Sequence, residues 1–175
     1  MLPTPVHLQD GRSAVVRSAT PADAEVWIAN VNAVASEGIY LMTERFTRTV
    51  EEIRVQFRDA DPRTALWLIG EVDGVVVAGG NFSRGLPVKS AHTASLGVFV
   101  LREYRGLGLG EALMRAGIEW AREVGIRKLK LGVFATNERA LALYRRLGFT
   151  EEGRLRGEVI LGGVPVDEIL MSRWL

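Results

Sequence analysis

The sequence predicts an α/β protein: a mixed β-sheet of about seven strands with helices on both faces, in the order β-α-α-β-β-β-α-β-α-β-β. Three observations lead there. Short apolar runs rich in β-branched residues alternate with stretches of helical period. Asp73-Gly74 lies between two such runs, the signature of a tight hairpin. The apolar run at 95–101 leads through a glycine turn, Arg105-Gly106-Leu107-Gly108-Leu109-Gly110, straight into a helical stretch.

Taken in order, residues 1–12 read as a loose lead-in and 14–17 (AVVR) as the first strand. Thr20-Pro21-Ala22-Asp23 is a helix start, with Thr20 as N-cap, Pro21 at the first helical position and an acid in the first turn. That helix carries Val26, Trp27, Val31 and Val34 and stops near Gly38. A second begins around Thr49 and holds Ile53, Val55 and Phe57. Between them residues 37–44 (EGIYLMTE) have no clean period and read as a loop with large side chains. Strands at 65–71 and 75–82 flank the Asp73-Gly74 turn, and 83–91 form a loop. The run at 95–101 is apolar throughout, as expected of a strand buried on both faces. After the glycine turn, Leu113, Met114, Gly117, Ile118, Trp120, Ala121 and Val124 share one helical face. Residues 128–134 (KLKLGVF) alternate as a strand. Residues 137–147 are helical, with Asn137 as N-cap and Gly148-Phe149 as the stop. Two final strands, about 149–160 and 165–173, meet at Gly162-Gly163, and Val164-Pro165 suits a strand edge. No repeat or linker divides the chain, so a single domain over 1–175 is expected.

Composition narrows the function. The 175 residues are 47% hydrophobic and 25% charged, ordinary for a globular domain. A net charge of +1 gives no nucleic-acid or membrane footprint. The absence of cysteine removes disulfides, thiolate metal ligands and a cysteine nucleophile. With only His7 and His92, no histidine-rich metal site is expected. The first residues lack a basic-then-apolar leader pattern, and a cytoplasmic location is the expectation.

The glycine turn has a chemical use. Glycine permits positive φ and close backbone approach, and the first N–H groups of the following helix lack internal partners at the positive end of its dipole. Together these make a phosphate cradle. No Lys-Ser or Lys-Thr follows, so the P-loop pattern fails, and Glu111 breaks the dinucleotide-binding fingerprint. The turn reads Arg-x-x-Gly-x-Gly, which resembles the acetyl-CoA pyrophosphate loop of the GNAT superfamily of N-acetyltransferases. A second motif, Asn137-x-x-Ala140-x-x-x-Tyr144-x-x-x-Gly148-Phe149, resembles the segment after that family's fifth strand. The closing stretch, EVILGGVPVDEILM, looks like the terminal hairpin of its polyamine and ribosomal-protein acetyltransferase branches.

The resemblance covers roughly residues 14–174 and implies the following. The pantetheine arm of acetyl-CoA lies along the fourth strand and pairs with backbone near Val98, Phe99 and Val100, where the fourth and fifth strands splay. The pyrophosphate sits on the N–H groups of Arg105, Gly106, Leu107, Gly108, Leu109 and Gly110. Asn137 and Ala140 contact the pantetheine and adenosine side. Tyr144 points toward the thioester sulfur. The implied activity is direct acetyl transfer to a primary amine of a small molecule such as an amino acid or polyamine. A protein N-terminus is an alternative acceptor, and a non-catalytic acyl-CoA sensor an alternative role. Transfer needs an N–H to hold the oxyanion and a proton for the departing thiolate, which the Tyr144 phenol can give. It also needs a route for the amine's proton. Glu37, in the loop where the family's acceptor side should be, is the candidate base, with His92 or a water chain as alternatives, while Glu103 sits next to the phosphate loop, where a base would be misplaced. Glu37, Glu44, Glu51 and Glu52 are the acids available to a polycationic acceptor. No metal is implied, and a homodimer is compatible with the family.

Overall fold

The structure is a computed structural model that describes residues 3–175; Met1 and Leu2 of the expected lead-in lie outside the described residues. The elements are β1 (Thr4–His7), β2 (Ser13–Ser18), α1 (Ala24–Ala35), α2 (Val50–Arg58), β3 (Ala65–Val72), β4 (Val75–Arg84), β5 (Thr93–Val100), α3 (Leu109–Glu123), β6 (Lys128–Phe134), α4 (Glu138–Arg146), β7 (Thr150–Leu161) and β8 (Val164–Trp174). They build one eight-stranded sheet in the order β1-β2-β3-β4-β5-β6-β8-β7. The eighth strand is β1, inside the expected loose lead-in. Four residues with a proline among them carry no readable period. Tertiary pairing makes them a strand, as Thr4–His7 runs antiparallel to β2 at the sheet edge, where a proline is tolerated.

The local signals act as their chemistry dictates. Thr20-Pro21 opens a single 3₁₀ turn at Pro21–Asp23 before α1 begins. The Asp23 carboxylate accepts the Thr20 N–H at 2.7 Å and is gripped by the Arg17 guanidinium. Thr49 and Glu52 form a reciprocal capping box on α2, with bonds of 3.2 and 2.6 Å. Asp73 and Gly74 both take positive φ, +50° and +79°, as a two-residue hairpin of this hand requires.

The sheet separates two cores. On one face α3 and α4 cover Leu68, Phe82, Leu113, Met114, Leu129 and Phe149. On the other α1 and α2 cover Trp27, Val31, Ile53, Phe57, Ile69 and Phe99. Gly117 of α3 lets the Phe82 ring lie directly on the helix backbone, where any Cβ would collide with it.

One feature of the sheet positions the site. β5 and β6 run parallel but pair only at Thr93↔Lys128, Ala94↔Leu129 and Ser95↔Lys130. Beyond that each strand is held on its far side alone. β4 pairs β5 as far as Val100, and β8 pairs β6 along its whole length, from Lys128↔Trp174 to Phe134↔Glu168. A gap therefore opens at the centre of the sheet, between Leu96–Val100 on one side and Leu131–Phe134 on the other.

Candidate active site

A cleft of about 1050 Å³ runs through this gap. Its end on the α3–α4 face is lined by Gly106, Gly108, Gly110, Asn137, Arg139 and Tyr144. Its other end is walled by Trp27, Tyr40, Phe46, Trp67 and Phe99, with Arg48, Asn81 and Ser83 among them. Trp27 stands at the centre of the aromatic wall, edge-on to Phe57, Trp67 and Phe99 at 5.5, 5.5 and 5.0 Å between ring centres.

The glycine turn is a cradle with free donors. Gly106 and Gly108 take φ of +81° and +99°, and Gly108 is the left-handed N-cap of α3. The main chain turns back on itself there without the strain a side chain would impose. The N–H groups of residues 106–111 find no acceptor among the described residues. They converge at the start of a fifteen-residue helix, where the macrodipole adds positive potential. The cradle begins one residue later than expected, because the Arg105 N–H is bonded back to the Arg102 carbonyl at 3.3 Å. Gln9 fixes the turn from outside by donating its N–H to the Leu107 carbonyl at 3.1 Å.

The Arg105 side chain points away from the cradle and ties the site together. Its Nε donates to the Val100 carbonyl at 2.8 Å, and its two terminal nitrogens donate to the Glu37 carboxylate at 2.8 and 2.5 Å. Its guanidinium lies over the Tyr40 ring, 4.6 Å from the centre. The hydrogen bonds from Arg105 hold the Glu37 carboxyl below its ordinary pKa, against the opposing effect of burial. A carboxylate so depressed and so occupied is a poor proton acceptor. The geometry therefore makes Glu37 a brace between the loop after α1 and the phosphate turn, rather than the poised base its position in the sequence suggests.

Along β5, backbone direction alternates. Leu101 donates to Val77 of β4 at 2.9 Å, so Phe99 also turns its backbone to β4, while Val98 and Val100 turn theirs into the gap. The ring of Phe99 joins the aromatic wall. Of the three expected strand contacts, the backbones of Val98 and Val100 face the cleft and that of Phe99 does not.

On α4, Asn137 is the N-cap: its side-chain oxygen accepts the Ala140 N–H at 3.2 Å. Both residues line the cleft, and this bond already uses the Ala140 donor. Tyr144 is buried, its ring beside Phe149. Its hydroxyl faces the cleft and has no hydrogen-bond partner among the described residues. Burial pushes its pKa up to about 12, so it is a protonated phenol across the physiological range. Sequence reasoning passed over Arg139. Its guanidinium lies against the Cα of Gly106, over the cradle, and pairs with no carboxylate among the described residues. The signal was present, since residue 139 falls within the Asn137 motif, but a basic residue on a polar helix face has no distinguishing pattern.

The other base candidates lie elsewhere. His92 stacks on Trp174 and its carbonyl accepts the N–H groups of Arg127 and Lys128, a packing role at the opposite end of β5. Glu103 is exposed on the turn before the cradle.

An open mixed sheet whose central parallel pair splays beside a helix start with free N–H groups defines a protein with an open strand edge and an anion-accepting turn in one cleft. Comparison with known proteins makes that class specific. The family model described as acetyltransferase (GNAT) family matches residues 35–149, and the chain belongs to that family. The L-amino acid N-acetyltransferase of Escherichia coli is 30% identical over 122 residues, covering 67% of this chain and 74% of that protein. A mycothiol acetyltransferase of Beutenbergia cavernae is 34% identical over 155 residues, 86% of this chain and 48% of the relative. Of the first curated relatives, the chain spans between 39% and 60% of the length. Among solved structures, the acetyltransferase of the GNAT family from Streptococcus pneumoniae superposes with a TM-score of 0.87 at 27% identity, over 93% of this chain and 99% of that one.

Proposed function

We propose that this protein transfers the acetyl group of acetyl-CoA directly to the primary amine of a small molecule. The observation behind this reading is the row of unclaimed N–H groups at residues 106–111, opening on the same cleft as the unpartnered hydroxyl of Tyr144. The donor set fits the ligand. Gly106, Leu107, Gly108, Leu109 and Gly110 offer backbone donors to a pyrophosphate, and Arg139 adds a cation above them. Val98, and Val100 through its N–H alone, since Arg105 holds the Val100 carbonyl, offer backbone groups in the gap to the amides of a pantetheine arm. Asn137 and Ala140 shape the wall opposite.

The chain's groups then divide the chemistry. The inward N–H of Val98 or Val100 stabilises negative charge developing on the thioester oxygen. Tyr144 donates its proton to the departing sulfur; a thiolate is far more basic when desolvated, and a phenol at about 12 stays charged with its proton until that moment. The attacking amine comes from the aromatic end of the cleft, through the gap.

That end favours a small amine bearing an acidic group over a polyamine. None of Glu37, Glu44, Glu51 and Glu52 lines the cleft. Glu37 is committed to Arg105 and Glu52 to the Thr49 cap. A cation, Arg48, stands there instead, steadied by Gln56 at 2.5 Å. The L-amino acid acetyltransferase relative acts on acceptors of this class.

The test is thiol release from acetyl-CoA across L-amino acids, their decarboxylated amines, polyamines and N-terminal peptides. Turnover with L-amino acids ahead of their decarboxylated counterparts is the expected result. Preference for spermidine would overturn the acceptor class. Acetyl-CoA binding with no thiol release from any member would overturn the enzymatic reading in favour of a sensor.

A further inference from the structure

Direct transfer requires a group to take the proton of the incoming ammonium, and the residue expected to do so, Glu37, is occupied by Arg105. Glu111, the carboxylate that lines the cleft near the cradle, is also occupied, by Arg115 and Arg146. A different carboxylate stands beside a residue of the cleft wall, though it is not itself part of that wall. Gly132 of β6 lines the cleft, and the space where its side chain would stand is filled by the carboxylate of Glu168 from β8. Any Cβ at 132 would collide with Glu168 Oε1. Phe134↔Glu168 and Gly132↔Leu170 are cross-strand pairs, so Gly132 and Glu168 share one face of the sheet. Leu131 and Val133 point into the α3–α4 core, which puts Glu168 on the opposite face, that of the aromatic wall. The Glu168 carboxylate has no hydrogen bond or ion pair among the described residues. A carboxylate left unpaired among the described residues, leaning over a glycine of the cleft wall, is one side-chain rotation from a cation bound in the gap.

We propose that Glu168 binds the acceptor's ammonium at the β6 edge of the gap and accepts its proton, so that β8 rather than the loop after α1 supplies the base. This rests on the acetyltransferase reading above. One proton passes from the ammonium to the Glu168 carboxylate and on to water, freeing the nitrogen lone pair. As the C–N bond forms and the C–S bond breaks, Tyr144 gives its proton to sulfur, and the second proton leaves nitrogen through water to the resulting tyrosinate, which restores the phenol. The charged residues on the strands that flank Glu168 are Lys128 and Lys130 on β6, Asp167 and Arg173 on β8, and Glu151, Glu152, Arg154, Arg156 and Glu158 on β7, with Arg48 and Arg105 lining the cleft. Arg154 is held by Asp167 and Glu151, and Asp167 also accepts the Gly157 N–H. Lys130 lies on the same face as Gly132, two residues away along β6.

The experiment is Glu168→Gln, assayed with acetyl-CoA and the fastest acceptor of the panel above, from pH 6 to 10. The expected result is a fall in kcat/KM of about 100-fold at neutral pH. That deficit should shrink about tenfold per pH unit as the free amine becomes available, with acetyl-CoA affinity and melting temperature unchanged. Gly132→Ala, which pushes the carboxylate aside without removing it, should show a smaller loss of the same pH form. An unchanged rate, or a loss equal at every pH, would overturn the assignment while leaving the acetyltransferase reading intact. Wild-type protein that binds acetyl-CoA and releases no thiol would instead overturn the reading itself, and this inference with it.

Discussion

Tyr144 and Glu37 show at the level of single residues how one fold shifts two groups in opposite directions. Burial raises the Tyr144 hydroxyl to about 12 and nothing offsets it. Two hydrogen bonds from Arg105 lower Glu37. Tyr144→Phe removes only the hydroxyl and leaves the ring on Phe149. It should lower kcat about 100-fold with acetyl-CoA affinity unchanged, as single-turnover kinetics and calorimetry would show. Because the Tyr144 phenol titrates so high, the wild-type rate should show no alkaline loss attributable to it below about pH 11. The sign for Glu37 is the reverse. A carboxyl with a lowered folded-state pKa contributes stability above its ordinary value of 4.5 and loses it as the pH falls through the lowered one. Glu37→Gln should therefore cost stability at neutral pH, about 1.5–3 kcal/mol for a charge-assisted pair. That difference should close in acid, which denaturant titrations at pH 7 and pH 3 would measure.

Elements depend on how their ends are made. The start of α3 is built to leave its donors open, with Gly108 at φ +99° as N-cap and no side chain closing it. The start of α2 is built to close them, with Thr49 and Glu52 satisfying each other. The two ends should respond differently to substitution. Thr49→Ala should lower stability by about 1 kcal/mol, a melting shift of about 2–4 °C for a chain of this size, and leave acetyl-CoA binding alone. Gly108→Glu places strain and a negative charge on the cradle and should abolish acetyl-CoA binding while the protein stays folded. Calorimetry beside circular dichroism separates the two effects, and retained affinity would refute the cradle.

For the molecule as a whole, the decisive feature is the division of pairing between β5 and β6. Each strand is fully satisfied on its outer side, so the sheet survives a gap at its centre. Two cores on opposite faces hold the two halves in place, and the Arg105–Glu37 brace locks the loop of one face to the turn of the other. A ligand filling the gap binds the folded state alone. Acetyl-CoA at a hundred times its Kd should thus raise unfolding free energy by about 2.7 kcal/mol, visible as a concentration-dependent melting shift. A melting temperature indifferent to acetyl-CoA would contradict the placement of the arm in the gap.

The sequence by itself determined the elements whose cause is local. Thr49 with Glu52, Asp73-Gly74, the glycines at 106 and 108 and the N-cap at Asn137 are each readable because the bond or dihedral they supply lies within a few residues. The helical period at 113–124 likewise named its own buried face. Tertiary structure alone decided what depends on distant partners. β1 is a strand because β2 is beside it. Arg105 faces Glu37 instead of a phosphate, since a bond across 68 positions outcompetes solvent for its guanidinium. Phe99 turns its backbone from the gap because its register with β4 fixes which way it points. Arg139 reaches the cradle, and Glu168 leans over Gly132, only through the packing of α4 on the turn and of β8 on β6. Side-chain direction across a sheet is set by register, and register is a property of two strands, not of the one in which the residue is written.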